Sequence, residues 1–219
     1  MHLSIIAGST GLVGKSILNQ FCDDNHNVIA ISRKPISGLR PKATELVIDF
    51  ESFLIDGSLP ACNHVFLCLG TTMKIAGNKN TFRRVDFDYS LDIAKKAFES
   101  GATKLTLISS GGADSSSKNF YLRVKGELED AIINIGFESV NIFRPGFLTG
   151  AGGRKRATSE KIFMKLAKFL DLVLIGSARK YRSINAEVLA KKMVSTLKSK
   201  PGVNSVSYTH LTLPTKRIV

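Results

Sequence analysis

Six short apolar runs, separated by amphipathic stretches, leave the first 150 residues few folds to choose from. The runs are "LSIIAG" (3–8), "NVIAISR" (27–33), "ELVIDF" (45–50), "HVFLCLG" (64–70), "KLTLISS" (104–110) and "SVNIFRPG" (139–146). Each is too brief for a buried helix and reads as a strand. Between them, "GLVGKSILNQFCDD" carries Val13, Ile17, Leu18 and Phe21 at helical spacing. "FDYSLDIAKKAFESGA" reads as a helix closed by Gly101, and residues 119–135 as another with Leu122, Leu128, Ile132 and Ile135 near one face. Strands apolar on both faces that alternate with such helices imply a parallel sheet covered on both sides. Right-handed crossovers make it a doubly wound, Rossmann-type α/β sheet. A chain of 219 residues supports one sizeable core. Residues 1–204 are expected to form a single domain, with 151–204 as a short, basic, mainly helical C-terminal cap built on helices at 160–175 and 186–199.

The turn after the first run, "IIAGSTGLVGKS", spaces Gly8, Gly11 and Gly14 as GxxGxxG. The first glycine permits a tight turn, the second lets backbone approach a pyrophosphate, and the third lets helix pack on strand. The helix start offers free N–H groups to the phosphates. Gly8, Thr10, Gly11, Leu12, Val13 and Gly14 are therefore the expected dinucleotide loop. An NAD site usually places an acid about 20 residues on, to bind the ribose 2′-hydroxyl. This chain has Ser32, Arg33 and Lys34 there. A guanidinium can clasp a 2′-phosphate that a carboxylate would repel, so NADP(H) is expected in preference to NAD(H).

The fifth run leads into "LISSGGADSSSKNFYLRVKGELED" (107–130), with Tyr121 and Lys125 one helical turn apart. A tyrosine of pKa about 10 is a poor proton donor or acceptor at neutral pH unless something stabilises its phenolate. A lysine four residues on shares its helical face and can supply that charge. Ser110, or its neighbour Ser109, ends the strand where such sheets bind ligands and could polarise a carbonyl. Taken alone, the Tyr–Lys spacing fits an ordinary amphipathic helix equally well. With the glycine turn and the serine-ended strand in this order, it points to oxidoreductase chemistry.

These stretches, with "VIDFE", "CLGTTMKIAGNK", "FRRVDFDYSLDIAKKA" and "FRPGFLTG", resemble the short-chain dehydrogenase/reductase superfamily. More narrowly, they resemble its atypical branch that contains the Tat-interactive protein-like oxidoreductases. The resemblance covers roughly residues 3–150. It implies an NADP(H)-binding fold with Ser110, Tyr121 and Lys125 in the catalytic positions. It also implies Asp49 and Phe50 beside the adenine, and Leu69, Gly70 and Thr71 beside the diphosphate and nicotinamide ribose. Arg144, Pro145 and Gly146 would take the family's place near the nicotinamide. One position departs. Many members carry an asparagine on the helix before the fifth strand, completing a proton relay, where this chain has Asp86. A charge there alters the local electrostatics. The expected activity is an NADP(H)-dependent conversion of a small carbonyl or alcohol. The alternative is a non-catalytic, NADP(H)-binding redox sensor that acts through a protein partner.

Composition narrows the rest. Cys22, Cys62 and Cys68 form no CxxC pair, and four scattered histidines show no ligand spacing. Buried free thiols and no metal are expected. No apolar run approaches the roughly 20 residues needed to span a bilayer. The N-terminus lacks the pattern of a signal peptide, so a cytoplasmic protein, monomer or homodimer, is expected. Most of the net charge of +13 falls in residues 151–202. That segment lacks interleaved exposed aromatics or a recognised motif, which argues against nucleic acid. The segment "SVSYTHLTLPTKRIV" (205–219) could form an edge strand ended by Pro214. It fits an extraneous, adapter-like tail better and is expected to lie outside the domain.

Overall fold

The computed structural model describes residues 2–150 and 183–207. Strand β1 (Leu3–Ala7) lies centrally, with β2 (Asn27–Ser32) and β3 (Ala43–Val47) on one side. On the other side follow β4 (His64–Leu67), β5 (Lys104–Ile108), β6 (Ser139–Arg144) and β9 (Gly202–Ser207). The sheet order is β3-β2-β1-β4-β5-β6-β9, every pairing in it is parallel, and the order reverses between β1 and β4. A crevice at the carboxyl ends of the strands is the ligand site of such a sheet. The two-residue strands β7 (Leu148–Thr149) and β8 (Ile184–Asn185) pair separately beyond it.

The apolar runs supply both faces because successive side chains point to opposite sides. Ile5, Ala7, Val65, Leu67, Leu105 and Leu107 pack beneath α5 (Tyr89–Glu99) and α6 (Phe120–Ile133), while Ile6, Val28, Ala30 and Phe66 pack beneath α1 (Leu12–Asp23). The strands end earlier than the apolar runs. Gly8, Arg33, Gly70 and Ser109 all lie just past the pairing, where the chain turns outward. The third strand ends at Val47 because Asp49 caps a helix the apolar pattern does not announce, α2 (Phe50–Asp56), by accepting from Ser52 N at 2.9 Å.

Two expectations need correction. Of the cap expected over 151–204, the part described, from residue 183 on, packs into the domain rather than over it. Helix α7 (Ala186–Ser195) lies beside α1 and buries Ala186, Leu189, Ala190 and Met193 against Ile17, Phe21 and Phe66. The helix is amphipathic and completes the second face of the sheet. A polar latch secures it. His64 Nε2 meets Thr106 Oγ1 at 2.8 Å, Thr106 meets Thr196 at 2.7 Å, and Lys104 Nζ donates to the Leu197 carbonyl at 2.8 Å. The helix expected at 160–175 lies outside the described residues.

The proposed tail boundary also falls inside a strand. β9 runs through Ser207, with Ser205 opposite Ile142 and Val206 opposite Phe143. Val206 packs against the second core cluster, so an edge strand wins over an extraneous segment at 205–207. Residues 208–219 lie outside the described residues. A chain ended after Asn204 should therefore melt several degrees below one ended after Ser207, since about 1 kcal/mol moves a domain of this size by roughly 2–4 °C. Equal melting temperatures by calorimetry would mean that these three residues contribute nothing.

Candidate functional site

The glycine turn is built by close backbone approaches. Gly8 has φ of 84°, which favours glycine, and a Cβ there would stand 2.5 Å from the Cys68 carbonyl oxygen at the end of β4. A Cβ on Gly14 would stand 2.3 Å from the Gly8 oxygen. Gly11 donates its N–H to Gly8 O at 3.0 Å and precedes α1 in an extended conformation. Helix α1 has no side-chain cap and no acid in its first turn. The amides at Leu12 and Val13 and the positive end of the helix dipole are thus left to an anion. The Val13 side chain is buried in the core, so only its backbone can serve a ligand.

At the end of β2, Ser32 is buried and donates to the Lys34 carbonyl at 2.8 Å, which turns Arg33 and Lys34 outward, both exposed. A cavity of about 260 Å³ opens between the glycine turn and the following loop, lined by Ser9, Thr10, Lys15, Ser37 and Arg40 among others. Asp49 is exposed, and hydrogen bonds from Ser52 hold its carboxyl below the usual range. Phe50, expected beside an adenine, is instead turned into the core, 4.8 Å from the Tyr89 ring. The Tyr89 hydroxyl donates to Glu51 at 2.6 Å. Arg84, then Tyr89, draws the Glu51 carboxyl down to about 2.

The Tyr–Lys helix starts at Asn119, whose side chain accepts from Leu122 N at 3.2 Å. Tyr121 is half-buried, with its ring 5.6 Å from Phe82. Lys125 is buried, and its Nζ lies 2.7 Å from Asp86 Oδ1, a charge contact whose angle is not that of a hydrogen bond. The other Asp86 oxygen accepts from Thr71 N at 2.8 Å. A Cβ on the exposed Gly70 would stand 3.5 Å from Asp86 Oδ1 and 3.9 Å from Lys125 Nζ. Gly70, Thr71, Asp86 and Lys125 therefore share one pocket of space. Of the two serines, Ser109 is buried with its hydroxyl unpartnered, whereas Ser110 is half-exposed and is the one a substrate oxygen could reach.

Arg144 has other work. Its guanidinium grips the buried Glu129 through Nε, at 3.1 and 3.0 Å, and through Nη2. Glu129 also raises the arginine's pKa, through the same hydrogen bonds first. Pro145 O accepts from Gly111 N at 2.7 Å, tying the end of β6, with Gly146 beyond it, to the loop that carries Ser110.

Two contributors were missed in the sequence. Asp86 was read as a departure in a relay, not as the lysine's partner. It sits in a π-helical turn, Arg84–Asp88, which sequence periodicity does not reveal. Gly126 was passed over, although a Cβ there would stand 2.2 Å from Ser115 N and 2.3 Å from the Asp114 carbonyl carbon. The loop after Ser110 is pressed onto the helix at that point.

No family model matches the chain. It is 35% identical over 173 residues to "Protein FMP52, mitochondrial" of Meyerozyma guilliermondii, covering 76% of this chain and 74% of that one. It is 37% identical over 151 residues to protein HTATIP2 of Rattus norvegicus, covering 65% and 61%. The chain belongs to the atypical short-chain dehydrogenase/reductase superfamily. Its fold is similar to that of the human epimerase family protein SDR39U1 with NADPH, with a TM-score of 0.65 and 16% identity over 96% of this chain and 79% of the other. The relatives also overturn the cytoplasmic expectation. The FMP52 proteins of Meyerozyma guilliermondii, Debaryomyces hansenii, Coccidioides immitis and Scheffersomyces stipitis are all named mitochondrial. Among the described residues, no helix is long and apolar enough to cross a membrane.

For this superfamily member, Gly126→Ala gives a test by sign. In an open helix that change stabilises by about 1 kcal/mol. Against the Ser115 backbone it should instead destabilise by about 1–3 kcal/mol in urea denaturation. A gain in stability would show that the loop does not press on the helix.

Proposed function

We propose that this protein is an NADP(H)-dependent oxidoreductase of the atypical short-chain class, acting on a small carbonyl or alcohol. The observation that carries the reading is the convergence of Lys125, Gly70 and Thr71 at the carboxyl edge, across the sheet reversal from the uncapped start of α1. The donor set fits a dinucleotide. Free backbone amides after Gly11 suit the diphosphate, and the exposed Gly70 leaves room for a ribose. Arg33 and Lys34 would hold a 2′-phosphate, with Lys15 on the adjoining cavity. SDR39U1, the fold neighbour, was solved with NADPH, which supports a nicotinamide dinucleotide here.

The dinucleotide, when bound, supplies or takes the hydride. The chain's own residues handle the rest. Ser110 would donate a hydrogen bond to the substrate oxygen and fix its direction. Tyr121 Oη would give that oxygen a proton in reduction, or take one in oxidation. Lys125 would hold the tyrosine and the ribose through its ammonium. The buried contact between Lys125 and Asp86 favours a second reading, the non-catalytic redox sensor, because it offsets the charge a phenolate would need.

Two measurements test these readings, the first their shared cofactor and the second the catalytic role. Calorimetry should find NADPH bound more tightly than NADH, with Arg33→Ala eroding the difference; equal affinities in the intact protein would remove the NADP(H) assignment. Tyr121→Phe should keep NADPH binding and stability while lowering turnover of an active carbonyl from a panel by on the order of 10²–10⁴. Undiminished turnover would remove Tyr121 from the proton transfer, and absence of turnover by the intact protein across the panel would leave the sensor as the better reading.

A further inference from the structure

The charges around α4 (Lys79–Arg83), the π turn and α6 sort into two groups. Arg83 pairs with Glu127, Arg84 with Glu51 and Asp88, and Arg123 with Glu127, all on partly exposed side chains. Asp86 and Lys125 turn inward as a pair, with side chains 1% and 6% exposed, and Glu129, also buried on α6, faces Arg144 instead. The π turn accounts for this, because its extra residue breaks the regular helical rotation and sends the middle side chain, Asp86, under Gly70–Thr71. A carboxylate and an ammonium removed this far from water each offset part of the other's desolvation cost. The second Asp86 oxygen is fixed by Thr71 N. The lysine is thereby tied to the loop that follows β4.

We propose that Asp86 is a positioning residue that fixes Lys125 beneath the Gly70–Thr71 loop and offsets its charge, so that Tyr121 meets half of a neutral pair rather than a free cation. The proposal rests on the oxidoreductase reading only for setting Tyr121 beside Lys125, one helical turn apart, and holds for the sensor as well. It differs from a relay through a neutral asparagine, which would leave the lysine charge whole.

The test needs neither cofactor nor substrate, so it can fail while NADPH binding succeeds, and the reverse. Ionisation of Tyr121 is followed by phenolate ultraviolet absorbance, with a Tyr121→Phe protein subtracted in each background. Asp86→Asn keeps the shape and removes the charge. It should lower the Tyr121 midpoint by about one pH unit or more, the usual effect of one uncompensated neighbouring cation. The double variant Asp86→Asn with Lys125→Met removes both charges and buries no lone ion. Its midpoint should stay within about half a unit of the intact protein. A merely structural Asp86 would weaken the fold in Asp86→Asn and leave the midpoint in place, which overturns the proposal. A rise of about one unit or more in the double variant would overturn it too, because Lys125 would then have acted as a free cation. If Asp86→Asn does not fold, the double variant decides alone.

Discussion

The crevice depends on two backbone approaches at the carboxyl edge: Gly14 against the Gly8 carbonyl, and Gly8 against the Cys68 carbonyl. Together they bring the start of α1, the turn after β1 and the end of β4 within van der Waals reach. No side chain can stand at either glycine without moving backbone. The sheet order reverses between these same two strands, so the space that opens above them belongs to neither crossover helix. The free amides of α1 and the exposed Gly70 border that space from opposite sides. Everything assigned to the site follows from this spacing.

What could be read from the sequence was whatever repeats locally. Apolar runs on a period that suits neither a lone helix nor a one-faced strand gave the parallel sheet, and the clusters on its two faces show why. Ile5 and Ile6 are both needed because each face has its own helix layer. The glycine turn and the Tyr121–Lys125 spacing were legible because each is fixed within a few residues. Features that depend on distant partners were not. Phe50 ends an apolar run and looks available to a ligand, yet Tyr89, far along the chain, draws it into the core. Arg144 precedes Pro145 and Gly146 and reads as a ligand contact, yet Glu129 on α6 claims its guanidinium. β9 lacked the apolar run of a buried strand because, among the described residues, it lies at the sheet edge, where Val203 is exposed and one side is paired.

A buried ion pair such as Asp86–Lys125 is weak evidence of stability, because desolvation cancels much of the attraction. Its value lies in placement. With Asp86 held by Thr71 N at 2.8 Å and Lys125 held by Asp86 at 2.7 Å, helix α6 is registered against the β4 loop through three groups in sequence. Gly126, the next residue on α6, registers the same helix against the loop after β5. Tyr121 thus rides on a helix fixed at both loops that would border a bound nicotinamide. That arrangement serves an oxidoreductase, and a sensor that must report cofactor state would need much of it as well.

The claim common to both readings is that a reduced nicotinamide dinucleotide occupies the crevice above the β1–β4 reversal. Amide hydrogen exchange of the intact protein, with and without saturating NADPH, tests it most directly. The account predicts slowed exchange at the turn from Gly8 to Val13 and at Gly70–Thr71, with the α1–α7 face and the β9 edge unchanged. No protection at either turn, or protection confined to another surface, would contradict it.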